Sequence, residues 1–125
     1  LMPQSINKYG TYALRANNEE EARKLRSDAK ALEEAGCYAI VIEKVPAVLA
    51  AEVAKSVSIP IIGIGAGSGA DGQVLVMHDM LGINMDFSPK FLRRYANLNQ
   101  VISQAVVNYI NDVKSGDFPN ENEQY

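Results

Sequence analysis

Apolar residues recur at helical spacing over residues 17–36, where Ala22, Leu25, Ala29 and Leu32 fall on one stripe between charged positions. Asn17 or Asn18 can cap that helix, Glu20 and Glu21 suit its positive N-terminal end, and Gly36 ends it. The pattern then changes abruptly. Residues 37–42 are apolar without alternation and too few for a stable helix, which predicts a short strand buried on both faces. That run ends in one carboxylate, Glu43, just before Lys44-Val45-Pro46. Pro46 at a first helical position, with Leu49, Val53 and Val57 on one face behind it, predicts a second helix that stops before Pro60. Residues 59–64 and 74–77 read as two further strands.

An irregular stretch with Pro89 separates the third strand from a last helix over residues 99–114, whose apolar face is Ile102, Ala105, Val106, Tyr109, Ile110 and Val113. Ser115-Gly116 closes that helix, so residues 1–116 form the structured domain and 117–125 a polar, acidic, mobile tail. Residues 1–16 show no clean period and read as a loop. Helix, strand, helix, strand with short junctions describes repeated βα units, which build a parallel sheet in an α/β fold. Three strands cannot close a (βα)8 barrel, which needs eight strands and about 250 residues. The chain is therefore either a small open α/β sheet or the back part of such a barrel.

Composition narrows the function classes. With 125 residues, 47% hydrophobic and 22% charged, the chain describes one globular unit rather than a disordered one. A net charge of -3 and scattered Lys and Arg residues give no basic patch, so nucleic acid is a poor partner. One cysteine, Cys37, allows no internal disulfide, and a single His removes most familiar zinc patterns, which together suit a reducing, cytoplasmic setting. No run of about 18 apolar residues occurs, so no membrane span is expected. The opening Leu1-Met2-Pro3 reads as the interior of a longer protein.

Glu43 is the first candidate for chemistry, because the carboxyl ends of parallel strands are where ligands and catalytic groups collect. The competing reading is a salt bridge at the sheet rim. Gly65-x-Gly67-x-x-Ala70, within the glycine-rich residues 63–72, formally matches a dinucleotide fingerprint. The residues behind it, Gln73-Val74-Leu75-Val76-Met77, look like strand, so no helix N-terminus is placed for a pyrophosphate. Two readings of the loop stay open: close backbone approach where a strand leaves the sheet, or the lining of a ligand site. His78 and Asp79, adjacent on an extended strand, point to opposite faces and make no dyad. Asp79 suits a cap for a turn beginning at Met80. Glu19-Glu20-Glu21 and Glu33-Glu34 read as solvated helix carboxylates.

Several motifs in register carry a resemblance. Glu43-Lys44-Val45-Pro46 comes first, then Ile59-Pro60-Ile61-Ile62-Gly63-Ile64-Gly65-Ala66-Gly67, then Asp71-Gly72-Gln73-Val74-Leu75-Val76-Met77-His78-Asp79. Gly82-Ile83, Pro89-Lys90-Phe91 and Ser115-Gly116-Asp117-Phe118-Pro119 continue it. The chain resembles the C-terminal half of the ketopantoate hydroxymethyltransferases, (βα)8 (TIM) barrels of the phosphoenolpyruvate/pyruvate type. Leu1-Met2-Pro3-Gln4-Ser5 is similar to the segment after their fifth strand, which makes the visible strands the sixth, seventh and eighth.

The resemblance implies a transferase that moves a hydroxymethyl group from 5,10-methylenetetrahydrofolate to 2-oxoisovalerate, giving ketopantoate for pantothenate and coenzyme A biosynthesis. It implies a magnesium ion that holds the oxo acid and a glutamate, Glu43 here, that takes its proton. A glutamate in water is a weak base toward a carbon acid, and the apolar Ile40, Val41 and Ile42 imply a buried setting for it. The family's metal ligands and its substrate-binding Ser and Lys would precede Leu1, so this chain is expected to hold no metal ligand and to be inactive without the N-terminal half of the barrel. Residues 5–17 and 84–88 depart from the family's common wording. A large homo-oligomer is also implied. The alternatives are another 2-oxo-acid aldolase or lyase of that superfamily, which folate dependence would separate, and a small α/β module whose glycine loop holds a nucleotide.

Overall fold

In a computed structural model, Asn7, Gly10 and residues 14–125 are described. The chain divides into two compact units, Leu1–Leu75 and Val76–Tyr125. The reading of residues 1–16 as a loop lies for the most part outside the described residues.

In the first unit the N-terminus of α1, Glu19–Glu34, is capped by the Asn18 side chain accepting a hydrogen bond from the Glu21 N–H at 2.9 Å. Gly36, at φ 87, turns the chain out of the helix, and the Cys37 N–H donates to the Leu32 carbonyl. Strand β1, Ile40–Glu43, leads into α2, Ala47–Ser56, and then into β2, Ile61–Ile64. The two strands pair in parallel with Ile40 opposite Ile61 and Glu43 opposite Ile64. A third strand, β3, is only Gly72–Gln73 and pairs in parallel with Ile62 and Gly63 of β2. The core lies between the sheet and the two helices: Ala22, Ala29, Ile42, Leu49, Ala50, Val53 and Ile61 are all buried together. Ala22 and Ala29 are small, so α1 settles close against its neighbours and contributes little volume.

Three sequence expectations need correction here. The strand after α1 is buried on one face only, since Ile42 sits in the core while Val41 is 41% exposed. The third strand is not residues 74–77: regular pairing stops at Gln73, and Met77 already begins a helix. Two of the carboxylates read as solvated are structural. Glu33 accepts hydrogen bonds from the Ser58 hydroxyl and, at 2.6 Å, from the Ser58 N–H, tying the end of α1 to the turn before β2. Those bonds, the hydroxyl's foremost, hold the Glu33 carboxyl below its usual range. Glu21, the other, reaches back over the start of α1 and is taken up with the site below.

The second unit holds a short helix, α3, Met77–Met80, and a long one, α4, Leu98–Ser115. Asp79 therefore sits inside a helical turn whose N-cap is Val76 and caps nothing at Met80; it is buried and accepts a hydrogen bond from the Asn84 amide at 3.1 Å. Gly116, at φ 80, ends α4 in the left-handed conformation. The chain then folds back: the Asp117 N–H donates to the Asp112 carbonyl at 2.9 Å, and the Phe118 ring meets Tyr109 edge-on at 5.4 Å.

Candidate functional site

Parallel pairing puts the carboxyl ends of β1 and β2 on one edge of the sheet, so Glu43 stands beside Ile64 and the glycine-rich loop leaves from the same edge. Glu43 is half-buried there. The next residue, Lys44, has φ 50, a left-handed conformation that costs a residue with a Cβ about 1–2 kcal/mol. Both its backbone groups are held: the Lys44 N–H donates to the Ile64 carbonyl at 3.0 Å, and its carbonyl accepts from the Arg15 N–H at 2.9 Å. Val45 is buried immediately afterwards, and Pro46 is the N-cap of α2, with φ -55, rather than its first helical residue. The last strand residue is thus followed by a turn with no slack, and the carboxylate is presented by rigid backbone on either side.

The glycine loop packs closely against its neighbours. β2 and β3 are parallel, yet residues 65–71 connect them without a helix, so the chain must run directly from the carboxyl edge back to the amino edge. It does so lying against α2. A Cβ built on Gly67 would come within 2.4 Å of the Ala47 Cβ, and one on Gly69 within 2.5 Å of the Ala51 Cβ, one helical turn further on. The glycines and the two alanines are matched surfaces that let backbone pass flat along a helix. Gln73 braces the loop by donating from Nε2 to the Gly67 carbonyl at 2.9 Å, and Asp71 accepts a hydrogen bond from the Ile61 N–H at 2.9 Å. Behind the loop come two strand residues and then three residues outside any regular element, so no helix opens from the glycines as the dinucleotide fingerprint requires. Close backbone approach, one of the two readings left open by the sequence, accounts for Gly67 and Gly69.

Sequence reasoning missed Glu21, Arg15 and Ala16. Glu21 accepts hydrogen bonds from the Arg15 guanidinium and, at 2.7 Å, from the Ala16 N–H, and so fixes the segment that holds the Lys44 carbonyl. One signal pointed there: a glutamate three residues after an N-cap asparagine is the spacing of a capping box, in which that side chain reaches back over the helix start. His78 and Asp79 belong to the second unit. No group of three or more His, Cys, Asp or Glu side chains that could hold a metal ion occurs among the described residues. Nor is any helix among them long and apolar enough to cross a membrane.

Comparison with known proteins places these observations in a family. Residues 1–121 match the family model described as ketopantoate hydroxymethyltransferase. A protein of Parabacteroides distasonis named 3-methyl-2-oxobutanoate hydroxymethyltransferase is 69% identical over 125 residues, 100% of this chain and 46% of that protein. Proteins of the same name from Porphyromonas gingivalis and Phocaeicola vulgatus are 67% and 65% identical over the same coverage. The chain thus spans about half the length of the curated relatives it matches.

Proposed function

The chain belongs to the ketopantoate hydroxymethyltransferase family, and on that premise we propose that it is the part of a (βα)8 barrel containing strands six to eight, with Glu43 as the base that starts the transfer. The reaction is the passage of a hydroxymethyl group from 5,10-methylenetetrahydrofolate to 2-oxoisovalerate. The observation that carries the proposal is Glu43 itself: a half-buried carboxylate at the carboxyl end of a parallel strand, followed by a left-handed non-glycine residue. Strain of that kind persists where surrounding structure over-determines it, and it concentrates at functional sites.

In this reading the Glu43 carboxylate takes the proton from C3 of the oxo acid, leaving a carbon nucleophile for the one-carbon unit. The rigid turn at Lys44 favours that step, since a base held in one orientation loses little freedom on reaching its proton. The chemistry given to this chain in this reading is the proton transfer alone. The remaining strands of the barrel, the folate contacts, assembly as a homo-oligomer and a cytoplasmic location are parts of the same proposal.

The test is Glu43→Gln in the intact protein, with exchange of the C3 hydrogen of 2-oxoisovalerate for solvent deuterium followed by NMR. Loss of a general base lowers such a rate by about 10²–10⁴-fold. Exchange at the unaltered rate would remove Glu43 from the role.

A further inference from the structure

Among the described residues two that are not glycine adopt a left-handed backbone, Ala16 at φ 52 and Lys44 at φ 50. They are not independent. Ala16 follows Arg15, whose N–H donates to the Lys44 carbonyl at 2.9 Å, so the two strained turns are tied to one another by a single hydrogen bond. Ala16 is itself buried in the core that contains Ile42 and Val45, the residues on either side of the Glu43-Lys44 pair. Ala16 therefore cannot swing outward without opening that core.

What holds the Ala16 turn is Glu21. One oxygen of its carboxylate accepts from the Arg15 guanidinium and the other from the Ala16 N–H at 2.7 Å, so both residues of the turn are gripped from the first turn of α1. A carboxylate with two donors is a charge-assisted contact, and its two oxygens fix direction as well as distance. The chain of interactions runs from Glu21 through Arg15 and Ala16 to the Lys44 carbonyl, and Lys44 is joined by its own N–H to Ile64 across the sheet. Lys44, the residue that follows Glu43, is therefore held through both of its flanking peptides.

We infer that Glu21 and Arg15 are positioning residues for Glu43: they hold the left-handed turn at Lys44 and thereby the aim of the Glu43 carboxylate. The inference rests on Glu43 being the base, and it adds that the base is kept in place by the first turn of α1 and the residues just before it, Glu21 lying 22 residues ahead of Glu43 in the chain. Released from Arg15, the Lys44 peptide can leave its strained conformation for an ordinary one, which rotates the end of β1 and misdirects the carboxylate. Binding of the oxo acid need not change, because neither Glu21 nor Arg15 is required to touch it.

The experiment measures deuterium exchange at C3 of 2-oxoisovalerate by the intact protein carrying Glu21→Ala, Glu21→Gln, Glu43→Gln or both sites changed, at a temperature where circular dichroism shows each variant folded. Misplacement of a reacting group by about 1 Å costs on the order of 10²-fold, so Glu21→Ala is expected to lower turnover by about 10- to 100-fold with the KM for the oxo acid within about twofold of the parent. Glu21→Gln keeps one acceptor oxygen, gives a smaller loss of the same kind, and carries the test should the alanine variant not fold. In the Glu43→Gln background the Glu21 change should have no further effect. Unchanged turnover in folded Glu21 variants, a loss confined to KM, or a full additional loss in the Glu43→Gln background would each overturn the positioning role while leaving Glu43 as the base. Normal exchange by Glu43→Gln alone would instead remove the base, and the clamp's purpose with it.

Discussion

Adding one methyl group at Gly69 separates packing from ligand binding as the reason for the glycine loop. The alanine Cβ would lie 2.5 Å from the Ala51 Cβ and 3.3 Å from its Cα, where ordinary carbon separations are about 3.5–4.0 Å. Gly69 does not have a left-handed φ, so the cost is steric and carries no backbone strain. The loop or α2 must move by about 1 Å to relieve it, and overpacking of this size costs about 1–3 kcal/mol. Ala51→Gly in the same protein removes the clashing methyl and leaves only the milder crowding against the helix backbone, at its own cost of about 1 kcal/mol for glycine inside a helix. Urea unfolding of the intact protein, followed by far-ultraviolet circular dichroism, should therefore give a double variant more stable than the sum of the two single changes by about 1–2 kcal/mol. Additive changes, or a Gly69→Ala variant as stable as the parent, would refute the reasoning. Intact stability with loss of turnover would show that the glycine serves a ligand instead.

Two further changes probe the amino edge of the sheet. Asp71→Ala removes the acceptor for the N–H of Ile61, a residue with no exposed surface, and should lower stability in the same unfolding assay by about 1–3 kcal/mol, the cost of a buried donor left without a partner. Glu33 is held below its ordinary value of 4.5 by the Ser58 hydroxyl, then by the backbone N–H groups of Ser58 and Ile59. A depressed carboxyl contributes stability that is present above the unfolded value and lost as pH falls through the folded one. Ser58→Ala should accordingly flatten the decline in stability of the intact protein below about pH 4.5, read as midpoints of urea unfolding across pH, and an unaltered profile would count against the linkage.

The sequence carried the elements that repeat a period and blurred where period and tertiary contact compete. Residues 17–36 gave α1 almost to its ends because stripe, Asn18 cap and Gly36 agree. Pro46 marked the start of α2 to within one residue: it is the N-cap, with φ -55 and ψ 134, and Ala47 is the first helical residue. Residues 74–77 failed: Val74, Leu75 and Val76 have the composition of a strand, but regular pairing stops at Gln73, with one more bond from the Val74 N–H to the Gly63 carbonyl, and composition does not report pairing. Glu43 was legible because an apolar run made its position unusual. Glu21 was not, because a glutamate in the first turn of a helix has an ordinary explanation in the helix dipole, and its bonds to Arg15 and Ala16 depend on a turn that local propensity disfavours.

The two edges of this small sheet are built on opposite principles. At the amino edge, carboxylates satisfy backbone N–H groups at and just before the start of β2, Asp71 at Ile61 and Glu33 at Ser58. At the carboxyl edge, Lys44 is held in a conformation it would leave if released, Ala16 likewise, and the bonds among Glu21, Arg15, Lys44 and Ile64 are committed to keeping them there. A fold selected for stability alone would put glycine at residue 44, since glycine adopts φ 50 without that cost. Glycine would also loosen the peptide next to Glu43. A lysine there keeps the backbone stiff once the surrounding bonds have chosen its conformation, so the strain at Lys44 and the fixed direction of Glu43 have one cause.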